Sequence, residues 1–168
     1  MKLSNLLEPD RIILEMKADG HWSAINELVH HLVNSGRLPE KSLQDTLDAL
    51  KAREDQISTG IGSGVAIPHA FSDDIDEVAA IFGRSDVGID FQSLDQQPVH
   101  YIMLFIVPSK DYQLHLRTLS AIAKIFTNIE VLEALGKANS EKDIMDIFAS
   151  KPSRNTTKVS LPPPPAKP

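Results

Sequence analysis

The sequence of 168 residues contains no cysteine. This absence excludes disulfide bonds, thiolate nucleophiles and zinc sites built on cysteine, and it is compatible with a cytoplasmic location. A long apolar segment is also lacking. The longest unbroken run, Tyr101–Val107, has seven residues, whereas a membrane-spanning helix needs about 20. Charged residues from Glu8 to Arg11 interrupt the N-terminal region before a signal peptide can form. We therefore expect a cytoplasmic protein without membrane insertion.

Basic residues are in the minority, and they are unevenly distributed. Residues 151–168 hold four of the 17 basic side chains and none of the 23 acidic ones, so they carry a charge of +4. The net charge of the chain is −6, which leaves −10 on residues 1–150. An acidic surface repels the phosphate backbone of nucleic acids and suits a basic protein partner. The charge therefore argues against nucleic-acid binding.

Residues 151–168 also differ from the rest of the chain in composition. They contain six of the eleven prolines, with four in succession at Pro162–Pro165, and no aromatic residue. Such a segment cannot bury enough apolar surface to offset the entropy lost on ordering it. We predict one folded domain over residues 1–150 and a basic, proline-rich disordered tail over 151–168. A ligand for an aromatic groove is the alternative interpretation of the four prolines.

The remainder of the chain alternates between strand and helix patterns. Short apolar runs predict strands at 12–14, 65–67, 78–82 and 99–107, and alternation predicts an exposed strand over 87–91. Apolar residues at helical spacing predict helices around 25–32, 43–50 and 116–126. Ser140 and Asp143 have the spacing of a capping box, which predicts a last helix through Phe148. Strands interleaved with helices indicate a single α/β or α+β domain.

Residues 58–69 carry the most chemical information, with three glycines at alternate positions and the ending Ile67-Pro68-His69. Their composition predicts a loop that leads into a short buried strand. A Walker A phosphate loop requires a lysine after the glycines, and a dinucleotide fingerprint requires a third glycine where Val65 stands. The Gly-x-Ser-x-Gly motif of serine hydrolases is absent around both Ser58 and Ser63. The segment therefore matches none of these three motifs.

Histidine supplies the candidates for chemistry. Pro68 fixes the backbone before His69, so the ring leaves the predicted strand end from a rigid base. His115 begins the helix after the central strand, and the two rings converge if the strands ending at 67 and 107 are neighbours. Imidazole serves proton transfer, metal binding or phosphoryl carriage, and a purely structural role stays open for both rings. The other histidines lack paired metal-ligand spacing and are interpreted as surface or packing residues: His21, His30, His31 and His100.

The segments Ser58–Gly62 and Ala66–His69 resemble the signature of phosphotransferase-system IIA domains of the fructose/mannitol type (type 2). Residues 88–91, 95–99 and 115–124 resemble the nitrogen-regulatory branch of that family, IIA-Ntr. The similarity extends over roughly residues 3–148. It implies an α/β fold in which a single-domain mixed β-sheet is flanked by helices on both sides.

The resemblance also implies the roles of three residues. His69 is expected to be the phosphoryl acceptor and to become a tele-phosphohistidine. His115 is expected to be the second active-site histidine, and Arg53 the neighbouring cation. Neither a cofactor nor a metal is implied. Ala70 and Ser63 depart from the family pattern, which usually has glycine and asparagine there, and Ala70 is expected to affect the approach of a partner.

The expected function is that of a regulatory phosphocarrier in the nitrogen-related phosphotransferase system, an intermediate in phosphoryl transfer rather than a free-standing turnover enzyme. An HPr-like phosphocarrier (NPr-type) would be the donor, and phosphorylation would control target proteins. The resemblance implies potassium-transport proteins and sensor kinases as target classes. Two alternatives stay open: a sugar-specific (fructose/mannitol) IIA component that passes phosphate to a IIB domain, and a binding module that is never phosphorylated.

Overall fold

The computed structural model describes residues 3–150. The predicted tail, residues 151–168, lies outside the described residues. The helices are α1 (His21–Asn34), α2 (Leu43–Gln56), α3 (Tyr112–Phe126), α4 (Ile129–Lys137) and α5 (Glu141–Ala149), with short 3-10 turns at Leu3–Asn5, Pro9–Arg11 and Glu40–Ser42. The strands are β1 (Ile12–Ile13), β2 (Gly60–Gly62), β3 (Val65–Ala66), β4 (His69–Ser72), β5 (Ala79–Ile89) and β6 (Val99–Pro108).

The six strands form one mixed sheet, in which β6 is the central strand. The order along the sheet is β1-β5-β6-β3-β2, and β4 also pairs with β6. Strand β5 is antiparallel to β6, whereas β3 and β4 are both parallel to it. The sheet therefore presents β3, β4 and β5 directly beside the most hydrophobic strand of the chain.

Strands β3 and β4 pair one after the other with β6, in the same register. Val65 lies opposite Tyr101 and His69 opposite Phe105, so the register is unchanged across the gap between the strands. Pro68 lies in that gap; it has no N–H to donate, but its carbonyl accepts a hydrogen bond of 3.1 Å from the N–H of Phe105. The prediction that the strand ends at Pro68 is therefore wrong, because the strand resumes with His69 as its first residue.

Side chains of the central strands alternate between two cores. Phe82, Met103 and Phe105 face the core that includes residues of α3, α4 and α5. Ile81 and Leu104 face the opposite core, which is closed by α1 and α2. This period of two is what a strand buried on both faces requires. The predicted α/β class, with a mixed sheet flanked by helices on both sides, is confirmed.

Most predicted helices are confirmed, and two corrections concern strands. The last helix begins as expected, because the Ser140 hydroxyl accepts a hydrogen bond of 3.1 Å from the N–H of Asp143. The predicted strands at 78–82 and 87–91 are largely one strand, β5, since polar residues in its middle hide its continuity. The predicted loop at 58–64 contains a short strand, β2. Helix α4 was not predicted, and Leu116, assigned to a buried helix face, is 42% exposed.

Candidate functional site

His69 and His115 come together beside the central strand, β6. His69 opens β4 and pairs with Phe105 of β6. His115 lies in the first turn of α3, whose N-terminus is capped by Asp111 through a hydrogen bond of 2.9 Å from the N–H of Leu114. The ring centroids of the two histidines are 5.3 Å apart. The structure therefore brings together the two rings that the sequence analysis expected to converge.

The His69 ring has two different nitrogens in this site. Nδ1 lies 2.7 Å from the carbonyl oxygen of Ile67. Because a carbonyl oxygen can only accept, Nδ1 carries the proton and donates it, and Nε2 of the neutral ring is left with a lone pair. Nε2 is buried and has no hydrogen-bond partner among the described residues. The backbone thus fixes both the tautomer and the nitrogen that is free to act as a nucleophile.

The environment keeps the His69 ring neutral. The pKa of His69 is lowered from 6.5 to about 3, mainly by burial, with smaller contributions in the same direction from Arg53 and His115, while the hydrogen bond to Ile67 opposes the shift. The ring also stacks on Phe105, with centroids 5.0 Å apart. At neutral pH the lone pair on Nε2 is therefore not lost to protonation.

The His115 ring is buried among aromatic side chains, although it lies near the start of a helix. Its ring centroid is 5.3 Å from that of Phe71 and 5.7 Å from that of Tyr112. Burial lowers the pKa of His115, and Arg53 acts in the same direction. Its Nε2, like that of His69, is buried without a hydrogen-bond partner among residues 3–150. Buried polar atoms are rarely left without partners, so each of these two Nε2 atoms marks a position where an additional polar group can bind.

Arg53 supplies the positive charge of this region. It lies in the last turn of α2, only 4% exposed, and its Nη1 donates a hydrogen bond of 3.1 Å to the carbonyl of Ile57. Burial lowers the pKa of Arg53, and the adjacent carboxylate of Glu54 raises it. A guanidinium stays protonated in proteins. The charge of Arg53 thus acts on both predicted histidines, whose rings lie side by side.

The ring that is expected to accept the phosphoryl group is buried in this structure. His69 and His115 are each 1% exposed. The cause is the position of His69 within the sheet, between Phe105 and the first turn of α3, rather than beyond a strand end. A reactant that approaches Nε2 must therefore displace neighbouring side chains.

The glycine segment forms a hairpin and no phosphate loop. Strand β2 runs antiparallel to β3, and the turn between them places Gly62 and Gly64 at φ of 97° and 79°. Ser63, at φ of 58°, also takes the left-handed conformation, in which asparagine is favoured over most other residues. A Cβ on Gly60 would clash with the side chain of Ser93. Glycine is therefore required here by backbone conformation and close packing.

Ala70 does not lie where the sequence analysis expected an effect on a partner. It is 5% exposed and belongs to the core beneath α1 and α2. Side chains alternate along a strand, so its methyl group points away from the face on which the His69 ring stacks against Phe105. The idea that Ala70 alters the approach of a partner is not supported by this position.

Sequence reasoning missed a buried carboxylate next to the site. Glu54 is 5% exposed and accepts hydrogen bonds from the N–H of Thr59 at 3.1 Å and from the Thr59 hydroxyl. Nε2 of His21 also donates to it, at 2.9 Å. The only signal in the sequence was adjacency to Arg53, because an acid near the end of a polar helix is indistinguishable from a solvated one. His21, interpreted as a surface or packing residue, is a hydrogen-bond donor to this carboxylate.

The remaining polar candidates do not assemble into a second site. The Ser58 hydroxyl donates to the carbonyl of Phe91 at 2.7 Å, and Ser63 is exposed at the hairpin turn. Each of the other histidines has a backbone carbonyl as partner: His30, His31 and His100. Within the described range, no group of three or more His, Asp or Glu side chains is arranged to hold a metal ion. Over the same residues, no helix is long and apolar enough to cross a membrane.

Comparison with known families gives a match over nearly all of the described chain. Residues 5–151 match the family model described as "Phosphoenolpyruvate-dependent sugar phosphotransferase system, EIIA 2". The match begins before β1 and ends after α5, so it includes Arg53, His69 and His115. The sheet and both helical layers lie within the matched range.

Curated relatives fall into two functional groups. The fructose-specific EIIABC component of Bacillus subtilis is 36% identical over 88% of this chain, which spans only 23% of that longer protein. The fructose-specific EIIA component of Haloferax volcanii is 33% identical over 88% of this chain and 94% of its own length. The nitrogen regulatory protein of Bradyrhizobium diazoefficiens is 28% identical over 91% of this chain and 98% of its own.

A solved structure agrees with the fold and with the second group. Nitrogen regulatory protein IIA-Ntr from Neisseria meningitidis superimposes with a TM-score of 0.79 at 29% identity, covering 87% of this chain and 98% of its own. The similarity thus includes the sheet and both helical layers.

Proposed function

The chain belongs to the EIIA 2 family of the phosphoenolpyruvate-dependent sugar phosphotransferase system, and from this premise we propose that it carries a phosphoryl group on Nε2 of His69. The observation that carries the proposal is the state of the His69 ring. Its Nδ1–H is held by the Ile67 carbonyl, and its buried Nε2 has no partner among the described residues. An imidazole nitrogen acts as a nucleophile only when its lone pair is unprotonated and oriented, and Nε2 of His69 meets both requirements.

The transfer step balances with a phosphohistidine donor. The lone pair of Nε2 forms the new N–P bond as the donor's N–P bond breaks, and the donor imidazole leaves with that electron pair. If the donor ring is protonated on its second nitrogen, it leaves neutral, and the positive charge passes to the His69 ring. There the Nδ1–H stays bonded to the Ile67 carbonyl, and the negative phosphoryl group compensates the charge.

Arg53 and His115 are proposed to stabilise the phosphoryl group. The guanidinium of Arg53 provides charge-assisted donors for phosphoryl oxygens, and its charge already acts on both histidine rings. The Nε2 of His115 is buried without a hydrogen-bond partner in the described part of the chain, and its ring lies 5.3 Å from that of His69. Donors that are oriented before the reaction stabilise a transition state without further reorganisation.

The proposed donor is an HPr-like phosphocarrier of the NPr type, and the proposed role is regulatory. Phosphorylation would then decide which target proteins are bound, potassium-transport proteins or sensor kinases among them. Support comes from the IIA-Ntr structure of N. meningitidis and from the nitrogen regulatory protein of B. diazoefficiens, both of which match over nearly their full length. These components would act in the cytoplasm.

A sugar-specific IIA component is the second candidate. Two fructose-specific relatives are 36% and 33% identical to this chain, and the one from H. volcanii matches over 94% of its length. In this case the phosphoryl group would pass from His69 to a IIB domain. Both candidates share the same acceptor chemistry, so the difference lies in the partner that receives or reads the phosphoryl group.

Phosphorylation by enzyme I and an HPr-like donor tests the carrier function. We expect the wild type to acquire an acid-labile phosphoryl group that His69→Ala lacks, with His30→Ala as a control because that ring is exposed on α1. A wild type that stays unlabelled with a competent donor would contradict the proposal and leave a binding module. Discharge of the labelled protein by a fructose-type IIB domain would favour the sugar-specific role over the regulatory one.

A further inference from the structure

A continuous series of hydrogen bonds leads from Glu54 to the His69 ring. Glu54 accepts from the N–H and the hydroxyl of Thr59. The Thr59 carbonyl accepts from the N–H of Ile67 at 3.0 Å. The Ile67 carbonyl then accepts from Nδ1 of His69 at 2.7 Å. The carboxylate and the ring are therefore connected through three hydrogen-bonded residue pairs, and each pair shares one residue with the next.

Glu54, at the start of this series, also accepts a hydrogen bond from another element. Nε2 of His21, in the first turn of α1, donates to Glu54 at 2.9 Å. The His21 ring stacks on Trp22 with centroids 4.4 Å apart, and it packs against Phe91 at 4.1 Å. Glu54 therefore joins the start of α1, the end of α2 and the segment just before β2. A carboxylate fixed at three points has little freedom to move.

Burial of Glu54 is costly for the protein unless donors compensate it. A carboxylate with a fully buried side chain loses its hydration, and such a group is retained only where several hydrogen bonds replace the water. Thr59 is itself completely buried. Neither side chain hydrogen-bonds to Nε2 of His69 or His115, which lack such partners throughout residues 3–150, so the hydrogen bonds of Glu54 act on the backbone that holds His69.

We propose that Glu54 is a positioning residue, which acts through Thr59 and the Ile67 carbonyl to fix the tautomer and orientation of the His69 ring. By holding Thr59, it holds the carbonyl that accepts the hydrogen bond from the N–H of Ile67. The Ile67 carbonyl then stays directed at Nδ1, and the lone pair stays on Nε2. The significance for transfer rests on the proposed function of His69, whereas the effect on the ring does not.

Two pairs of variants test this role. Glu54→Gln keeps the shape of the side chain but removes its charge, and Asp55→Asn is the control, because Asp55 is the next residue of α2 and is exposed. Thr59→Val removes the hydroxyl donor, whereas Thr59→Ser keeps it. The ¹⁵N shifts of the His69 ring in the unphosphorylated chain, assigned by comparison with His69→Gln, report the tautomer directly. Denaturant unfolding of each variant reports global stability.

We expect a single Nδ1–H tautomer in the wild type, Asp55→Asn and Thr59→Ser, and a mixture of tautomers in Glu54→Gln and Thr59→Val. In phosphoryl transfer, Glu54→Gln should lower kcat by between about 10- and 100-fold, because small misplacements of a reacting group cost this much. The KM for the donor should stay unchanged, since the buried carboxylate touches no docking surface.

The proposal is overturned if Glu54→Gln and Thr59→Val unfold more easily but keep the wild-type tautomer, because Glu54 then has only a structural role. If Glu54→Gln does not fold, the comparison of Thr59→Val with Thr59→Ser decides in the same way. A wild type that cannot be phosphorylated contradicts the proposed function, and the ring measurement still decides on Glu54.

Discussion

At the scale of single residues, burial determines the chemistry of His69. The same desolvation that hides the ring also lowers its pKa to about 3, far below its ordinary value of 6.5. The unfolded chain therefore binds a proton on His69 at a pH where the native protein does not. Protonation of His69 therefore costs the native protein no stability above pH 6.5, and the free energy of unfolding falls as the pH drops from 6.5 toward 3.

Replacement of His69 by glutamine should make the protein less sensitive to acid. Between pH 6.5 and 3 the free energy of unfolding of the wild type should fall more steeply than that of His69→Gln, by on the order of 1 kcal/mol per pH unit. Denaturant unfolding at pH 7, 6, 5 and 4 measures the difference between the two proteins. Parallel curves over this range would contradict the burial-induced pKa shift.

Arg53 and His115 should affect phosphoryl transfer far more than an unrelated charge on the same helix. Arg53→Ala and His115→Ala are each expected to slow transfer by roughly 100-fold, as loss of an oriented donor does, while circular dichroism shows the wild-type fold. Lys51→Ala is the control, since Lys51 is an exposed cation of α2. Transfer at the wild-type rate in both site variants would remove their assigned roles.

At the scale of elements, the site depends on two connections to β6: β4 is paired beside it, and α3 follows it. The position of His115 is fixed where α3 begins, and there Asp111 caps the helix at the N–H of Leu114. Helix α5 has an equivalent cap in Ser140, which accepts from the N–H of Asp143, but it lies outside the site. A comparison of variants at the two caps can therefore distinguish a general loss of helix stability from a specific effect on phosphoryl transfer.

Loss of each cap should cost about 1 kcal/mol of stability. Asp111→Ala is expected to slow phosphoryl transfer in addition, because the first turn of α3 carries His115, whereas Ser140→Ala should leave the transfer rate unchanged. Thermal unfolding and transfer kinetics on both variants provide the comparison. Equal transfer rates for the two variants would show that the start of α3 does not limit the site.

The sequence predicted elements well where local chemistry determines them. The cap at Ser140, the apolar period of α1 and the central strand β6 are local signals, and the resemblance carried by residues 58–69 identified the candidate site. The predicted strand end at Pro68 was wrong because β4 continues the register of β3 through pairing with β6. That pairing is a non-local contact, which a local sequence pattern does not reveal. Glu54 was missed for the same reason, since its donors Thr59 and His21 come from other elements.

At the scale of the whole molecule, charge is distributed unequally between residues 1–150 and the C-terminal residues. Residues 1–150 carry −10, and residues 151–168 carry +4. We propose that residues 1–150 are the phosphocarrier domain, which agrees with a family match over residues 5–151. We propose that the HPr-like donor presents a basic face, which the acidic domain would attract, and such attraction changes the encounter rate more than the affinity.

A chain that ends at Ser150 should fold with unchanged stability and should be phosphorylated faster than the full chain at low ionic strength. Removal of the basic residues changes the net charge from −6 to −10, which strengthens attraction to a basic donor, and salt screens the effect beyond about 10 Å at 0.1 M. Phosphorylation kinetics at low and high salt measure it. Slower phosphorylation of the shortened chain would instead indicate that residues 151–168 contribute to donor binding.

The position of the phosphoryl group on the wild-type chain tests the central claim most directly. After phosphorylation by enzyme I and an HPr-like donor, ³¹P and ¹⁵N NMR of the labelled protein identify the nitrogen that bears the phosphorus. We predict an N–P bond at Nε2 of His69, with Nδ1 still facing the Ile67 carbonyl. Phosphorus on Nδ1 of His69, or on any other residue, would contradict the account.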